Sequence, residues 1–116
     1  MRNRTDKTAR GRDLAELGPI FFALGDRTRL RLVMLLCAGG ALSITTLTSS
    51  TRLTRQAVTK HLHVLEEAGV ATATKIGREQ LWELNPEPLD EARASLESIG
   101  RQWEDALGRL KKAVES

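Results

Sequence analysis

Apolar residues recur along this chain at steps of three and four, then at steps of two, then again at three and four. Leu14, Leu17, Phe21 and Leu24 form the first stripe and predict a short amphipathic helix over 14–24, ended by Gly25. Pro19 falls inside it and is expected to kink it or move its start. Asp26 then suits the cap of a second helix whose apolar face is Leu30, Val33, Met34 and Cys37, with Arg27, Arg29 and Arg31 in water. Leu32, Leu35 and Leu36 widen that face so far that the helix is expected to be largely enclosed, with Cys37 as a small buried hydrophobe. Gly39-Gly40 breaks the helix, Ala41-Leu42 reads as a brief extended link, and Ser43 caps a short helix from Ile44 to about Ser50. That third helix is rich in hydroxyls, which are mediocre helix formers, and takes its apolar contacts from Ile44 and Leu47.

The most sharply bounded helix runs over 55–68. Thr54 can cap its first turn, Gly69 suits the left-handed position past its last, and Val58, Leu62 and Leu65 make its apolar stripe. At about 100° per residue, Gln56, Lys60, His63 and Glu67 fall on the opposite side, flanked by Ala57 and Thr59. Arg52-Leu53 joins the two short helices tightly, which predicts a helix-turn-helix. After Gly69 the period switches to two: Val70 to Ile76 and Glu79 to Leu84 read as strands joined at Gly77-Arg78, with Trp82 and Leu84 on one face. Asn85-Pro86-Glu87-Pro88 stops the second strand and opens a last helix. There Leu89, Ala92, Leu96, Ile99, Trp103, Ala106 and Leu110 form a heptad seam, with Leu107 beside it. The order predicts an α+β, mainly α fold: a winged helix-turn-helix with a two-stranded wing over 70–84 and a long C-terminal dimerisation helix.

Composition narrows the class. A chain of 116 residues, 41% hydrophobic and 28% charged, suits one globular domain with a modest core. No apolar run of about 18 residues occurs, and the basic N-terminus has no apolar segment behind it, so neither a membrane span nor a secretory signal is expected. Cys37 is the only cysteine, which excludes a disulfide framework and fits a reducing cytoplasm. A net charge of +3 favours an anionic partner. With only Phe21, Phe22, Trp82 and Trp103 as aromatics, stacking platforms for single strands are scarce, so duplex nucleic acid fits better. Residues 1–13 carry five basic side chains among small and polar ones and read as a flexible basic tail, leaving 14–116 as the DNA-binding and dimerisation domain.

The exposed half of helix 55–68 carries the candidate chemistry. Gln56, Ala57, Thr59 and Lys60 are suited to base edges, since glutamine pairs with adenine, lysine with guanine, and alanine leaves room for a thymine methyl. Thr54, Arg55, His63, Lys75 and Arg78 are expected on the phosphate backbone. His61 sits toward the core edge and is expected to make a structural hydrogen bond. Leu14, Leu17, Phe21, Leu89, Leu96, Ile99, Trp103, Leu107 and Leu110 are expected at a dimer interface. No nucleophile–base pair or phosphate-cradling glycine loop can be assembled, so no catalytic residue and no cofactor are expected.

The string Ala23-Leu24-Gly25-Asp26-Arg27-Thr28-Arg29-Leu30-Arg31, with Gln56-Ala57-Val58-Thr59-Lys60-His61-Leu62 and Leu65-x-x-Ala68-Gly69-Val70, resembles the ArsR-type winged-helix repressors from about Leu17 to the C-terminus. The resemblance implies a homodimeric repressor on a palindromic operator, released by an inducer or a competing partner whose identity is left open. Metal-sensing relatives carry a Cys-x-Cys pair in the third helix, or Asp and His ligands in the first and last. Here hydroxyls stand in the third helix, the last has no histidine, and His61 and His63 diverge by about 200°. No metal site is expected, and the metal-independent branch fits better. Two alternatives stand beside this reading: a winged helix used as a protein-interaction module, and a metal- or redox-responsive repressor using Cys37. The first would tolerate acids on the face from Arg55 to Val64, where none occurs.

Overall fold

The computed structural model describes residues 14–115; the tail expected over 1–13, Ser116 and the side chain of Leu14 lie outside the described residues. The elements in order are α1 (Leu14–Leu24), α2 (Arg27–Gly39), β1 (Leu42–Ser43), α3 (Ile44–Ser49), α4 (Arg55–Glu67), β2 (Ala71–Ile76), β3 (Glu79–Leu84) and α5 (Pro86–Glu115). α1 carries Pro19 in its interior without interruption. Among the described residues no helix is long and apolar enough to cross a membrane.

Local chemistry fixes most boundaries. The Thr54 hydroxyl accepts from the Ala57 amide at 3.1 Å and starts α4. At the other end Gly69 takes a φ of +81°. The Gly69 amide donates to Glu66 O and the Val70 amide to Leu65 O, both at 2.9 Å, which is a Schellman closure. Val70 and Leu65 are both fully buried, so the turn also closes the core. In α3 the hydroxyls replace what propensity withholds. Ser43 caps the Thr46 amide at 3.1 Å, the Ser49 and Ser50 hydroxyls both donate to Thr46 O at 3.0 Å, and Thr51 Oγ1 donates to Thr48 O at 3.1 Å. These bonds satisfy the carbonyls a short helix leaves open and turn the chain toward α4.

The strands form a three-stranded antiparallel sheet in the order β1-β3-β2. β2 and β3 pair from Ala71 with Leu84 to Ile76 with Glu79. Gly77 alone takes a positive φ, +62°, in the two-residue connection, the pattern of a type II′ turn. The expected wing hairpin forms as β2–β3, and a third strand joins its edge. The stretch read as an extended link pairs Leu42 with Trp82 and Ser43 with Leu81. Because Ser43 must be extended to cap α3 (φ −78°, ψ 160°), its backbone is already shaped to cover the open edge of β3.

α2 differs from expectation in its rotation. It buries Leu32 and Leu36 against α1, α4 and β3, and leaves Leu30, Met34 and Cys37 exposed. The helix is not enclosed, and Cys37 is a surface thiol rather than a core residue. Two apolar stripes lie on opposite sides of α2, so periodicity alone does not choose between them. Arg29 chooses. It lies on the Leu32–Leu36 side and is half-buried rather than wet. Its Nε donates to Ala23 O at 2.7 Å, its Nη2 to Phe22 O at 3.3 Å, and its Nη1 to His61 Nδ1 at 3.3 Å.

α1 packs on the first turns of α5, where Ala92 and Ser95 are buried. Leu17 is 0% exposed and belongs to the chain's own core, so it offers no surface to a partner; Phe22, 70% exposed, is the outward residue of α1 instead. The same turn of α1 that sends Leu17, Ile20 and Phe21 toward α4 and α5 sends Phe22 away. From Leu96 onward α5 is exposed, apart from the half-buried Ser98 and Ala106.

The Arg29 contacts carry a prediction. Replacing Arg29 by Leu should cost about 1–3 kcal/mol in denaturant unfolding, because the part-buried Ala23 carbonyl and His61 lose a charged donor; Arg31→Leu, on the exposed side, should stay within about 0.5 kcal/mol. Asp26 caps α2 by accepting from the Arg29 amide at 3.0 Å. That bond, with the Arg29 guanidinium and His61 nearby, holds its carboxyl below the usual range. A depressed folded-state value stabilises above the unfolded one and is lost as pH falls through it. The acid limb of thermal midpoint against pH should therefore be shallower in Asp26→Asn.

Candidate nucleic-acid interface

The outward face of α4 separates side chains with internal duties from side chains without them. Gln56 and Lys60 stand one turn apart, both exposed, and neither forms a hydrogen bond or ion pair among the described residues. Thr59 is half-buried and its hydroxyl donates to Arg55 O at 2.8 Å, so only its oxygen lone pairs remain for a ligand. Ala57 is half-buried beside the cap, and the Thr54 hydroxyl is engaged in capping. No carboxylate stands on this face before Glu66.

Beside the start of α4 lies a groove of about 320 Å³ lined by Ser43, Thr45, Arg55, Lys75, Arg78, Glu79 and Gln80. Arg55, Lys75 and Arg78, distant in sequence, thus meet in one place. Arg55 Nη1 donates to Thr45 Oγ1 at 3.3 Å, which ties the base of the groove to α3. Two or three guanidinium and ammonium groups around one polar groove can hold the oxygens of a phosphate chain. Glu79 is its one acid.

The histidines take separate roles. His61 Nδ1 receives the Arg29 bond and lies 3.9 Å from Asp26 Oδ2, with its side chain 25% exposed. A guanidinium can only donate, so Nδ1 is the acceptor in that bond. His63 Nδ1 lies 3.1 Å from Glu66 Oε1, and its ring meets Trp82 edge-on with centroids 5.8 Å apart. His63, expected on the phosphate backbone, is thus a brace between α4 and β3. The two rings have different neighbours, and among the described residues no three His, Cys, Asp or Glu side chains gather to hold a metal.

Sequence reasoning missed the residue that docks the wing. By spacing alone Asn85 is only a strand stop, yet its Nδ2 donates to Gly69 O at 2.8 Å and its Oδ1 accepts from Thr72 Oγ1 at 2.8 Å. Its backbone amide donates to Val70 O at 2.9 Å. The available signal was an asparagine before proline at the end of a strand, a place where side chains replace backbone partners.

A second surface is apolar. Leu96, Ile99, Trp103, Leu107, Leu110 and Val114 of α5 are all exposed, with Trp103 at 62%. Phe21 and Leu89, expected in the same interface, are half-buried against the core.

Comparison with known proteins agrees with this geometry. Residues 24–72 match a helix-turn-helix domain model. The chain is 40% identical over 76 residues to the HTH-type transcriptional regulator YuzN of Bacillus subtilis, covering 60% of this chain and 83% of that protein. It is 30% identical over 87 residues to the arsenic resistance transcriptional regulator ArsR1 of Pseudomonas putida, covering 72% and 68% respectively. Among solved structures, an ArsR-like transcriptional regulator from Rhodococcus sp. RHA1 superposes with a TM-score of 0.72 at 33% identity, over 85% of this chain and 92% of that one.

The domain match ends at residue 72, before the residue that holds the wing. Asn85→Ala removes both side-chain bonds to Gly69 and Thr72. It should cost about 1–3 kcal/mol in global stability. Amide exchange in β2 and β3 should rise more than in α2. Equal protection in the two regions would show that the wing is held by other contacts.

Proposed function

The chain belongs to the ArsR family of winged helix-turn-helix transcriptional regulators, DNA-binding proteins rather than enzymes, and we propose that it works as a homodimeric repressor on a palindromic operator. α4 enters the major groove, Gln56 and Lys60 read base edges with Thr59 accepting beside them, and Arg55, Lys75 and Arg78 hold the flanking phosphates. The observation that carries this reading is the contrast on α4. Two of its outward polar side chains, Gln56 and Lys60 in its N-terminal half, have no internal partner, while a three-cation groove lies alongside. Thr54 and Ala57 lie at the start of α4, where they meet the backbone and a thymine methyl. His63 reaches phosphate only through its second ring nitrogen.

Dimerisation rests on α5. Ala92 and the exposed residues Leu96, Ile99, Trp103, Leu107, Leu110 and Val114 fall within one narrow stripe at about 100° per residue. α1 covers the start of that stripe and a second copy covers the rest. Such a dimer sets two recognition helices about 34–36 Å apart, the spacing of successive major grooves. The name of the Pseudomonas relative refers to arsenic. Soft metalloids call for several thiolates, and this chain has Cys37 alone, so its inducer is of another chemistry.

Two measurements test this function. Gln56→Ala should lose about 1–3 kcal/mol on the preferred duplex and relax selection at one base position. Arg78→Ala should instead weaken all duplexes alike and shallow the salt dependence by about one unit of slope. Unchanged site selection in Gln56→Ala, with altered selection in Arg78→Ala, would reverse the groove assignment. For the dimer, Leu96→Asp combined with Ile99→Asp places charge in the apolar seam and should give monomers by light scattering, with operator affinity lost in parallel. A double variant that remained dimeric, or a folded monomer that bound at full strength, defeats the seam.

A further inference from the structure

We propose that Arg27, Arg31 and Arg52 form a second phosphate-binding site, on the turn leading into α4, that grips the operator backbone outside the base-reading contacts. They line one concavity of about 710 Å³ between the start of α2 and the α3–α4 turn, together with Ser49, Thr51 and Leu53. Arg27 and Arg31 stand one turn apart on α2, and all three arginines are exposed. Among the described residues none of the three makes a hydrogen bond or an ion pair, in contrast to Arg29 on the inner side of the same helix.

No carboxylate lines this concavity, whereas the wing groove contains Glu79. Three guanidiniums line one concavity with no acidic partner, a local excess of positive charge that favours an anion. Of the hydroxyls there, Ser49 and Ser50 donate to Thr46 O and Thr51 to Thr48 O, while Thr28 stands between the two α2 arginines as a further polar group. Planar guanidiniums take phosphate oxygens in pairs. The DNA backbone is the source because of position: Arg52 lies two residues before the Thr54 cap, so the concavity abuts the very end of α4 that enters the groove. The wing groove meets the same end through Arg55, and the two clusters share no residue. Two separate basic clusters thus lie near the N-terminal end of α4.

This inference rests on the reading that α4 enters DNA, so the test includes a control for that reading. The full chain is titrated with its preferred duplex across a salt series as wild type, as Arg78→Gln, and as the combined Arg27→Gln, Arg31→Gln and Arg52→Gln variant. Arg52→Gln alone is included should the triple variant have a lowered thermal midpoint. Each phosphate contact contributes about 0.9 to the slope of log affinity against log salt. The triple variant should lose about two to three units of slope, and the single about one, equally on preferred and scrambled duplexes. Trimming the outer base pairs should weaken the wild type and leave the triple variant unchanged. A wild-type slope in both arginine variants, with a reduced slope in Arg78→Gln, overturns the second site and leaves the DNA reading standing. No duplex binding by the wild type at low salt overturns both. A thermal shift by inorganic phosphate that the triple variant lacks, with its DNA slope unchanged, assigns the concavity to a free anion and overturns the backbone source.

Discussion

The guanidinium of Arg29 is the joint on which the orientation of the recognition helix depends. It closes the end of α1 by donating to Ala23 O at 2.7 Å and to Phe22 O at 3.3 Å, the latter shared with the Gly25 amide. A cation at that end also opposes the negative pole of the α1 dipole. It lies 5.4 Å from the centre of the Phe22 ring. Through Nη1 it reaches His61 on the inner side of α4, while its own amide is held by Asp26. One side chain therefore refers α1, α2 and α4 to a common origin. An aliphatic residue of similar length could fill the space but could not fix three helices at once.

A second polar tie does the same for the wing. Asn85 binds the chain just past α4 and the start of β2, so the hairpin is tied directly to the end of the recognition helix. His63 adds an edge contact to Trp82, which is itself buried at 2% exposure. These are modest interactions, on the order of 1 kcal/mol each. Their value lies in direction: they set where Lys75 and Arg78 stand relative to Gln56 and Lys60. Side chains with internal partners position the site, and those without are left for a ligand.

How much of this is legible in the sequence depends on how one-sided each element is. α4 has one apolar stripe and one polar face, so its ends, core side and exposed chemistry all follow from spacing. The hairpin follows from Gly77-Arg78 and the change of period, and the length of α5 from its unbroken seam. α2 is apolar on two opposite sides, and the residue that breaks the tie, Arg29, has the composition of a solvated side chain. Reading it as wet reverses the helix and places Cys37 inside. β1 is only two residues long, too short for any period, and its pairing depends on β3 some forty residues later. Leu17 and Phe22 both belong to an apolar helix; only the surface it packs on separates core from exposed face. The concavity at Arg27, Arg31 and Arg52 is likewise invisible until α2 is set beside the turn.

The proportions of α1 and α5 carry the last step. α1 has 11 residues and α5 has 30, so at about 1.5 Å per residue they span roughly 16 and 45 Å. A single apolar stripe runs along α5, and α1 can cover only its beginning, near Ala92 and Ser95. The rest, from Leu96 to Val114, continues the same line in the open. Had the exposed residues lain on another face, they would call for an unrelated partner. Because they extend the packing that already exists inside the chain, the surface that completes them resembles α1 and α5 themselves, which is the argument for the proposed dimer. Phe22 points outward from the end of α1, one residue from the Ala23 carbonyl that Arg29 holds. That end of α1 is therefore linked to α4 through one guanidinium, which holds Phe22 O and His61 Nδ1 at 3.3 Å each.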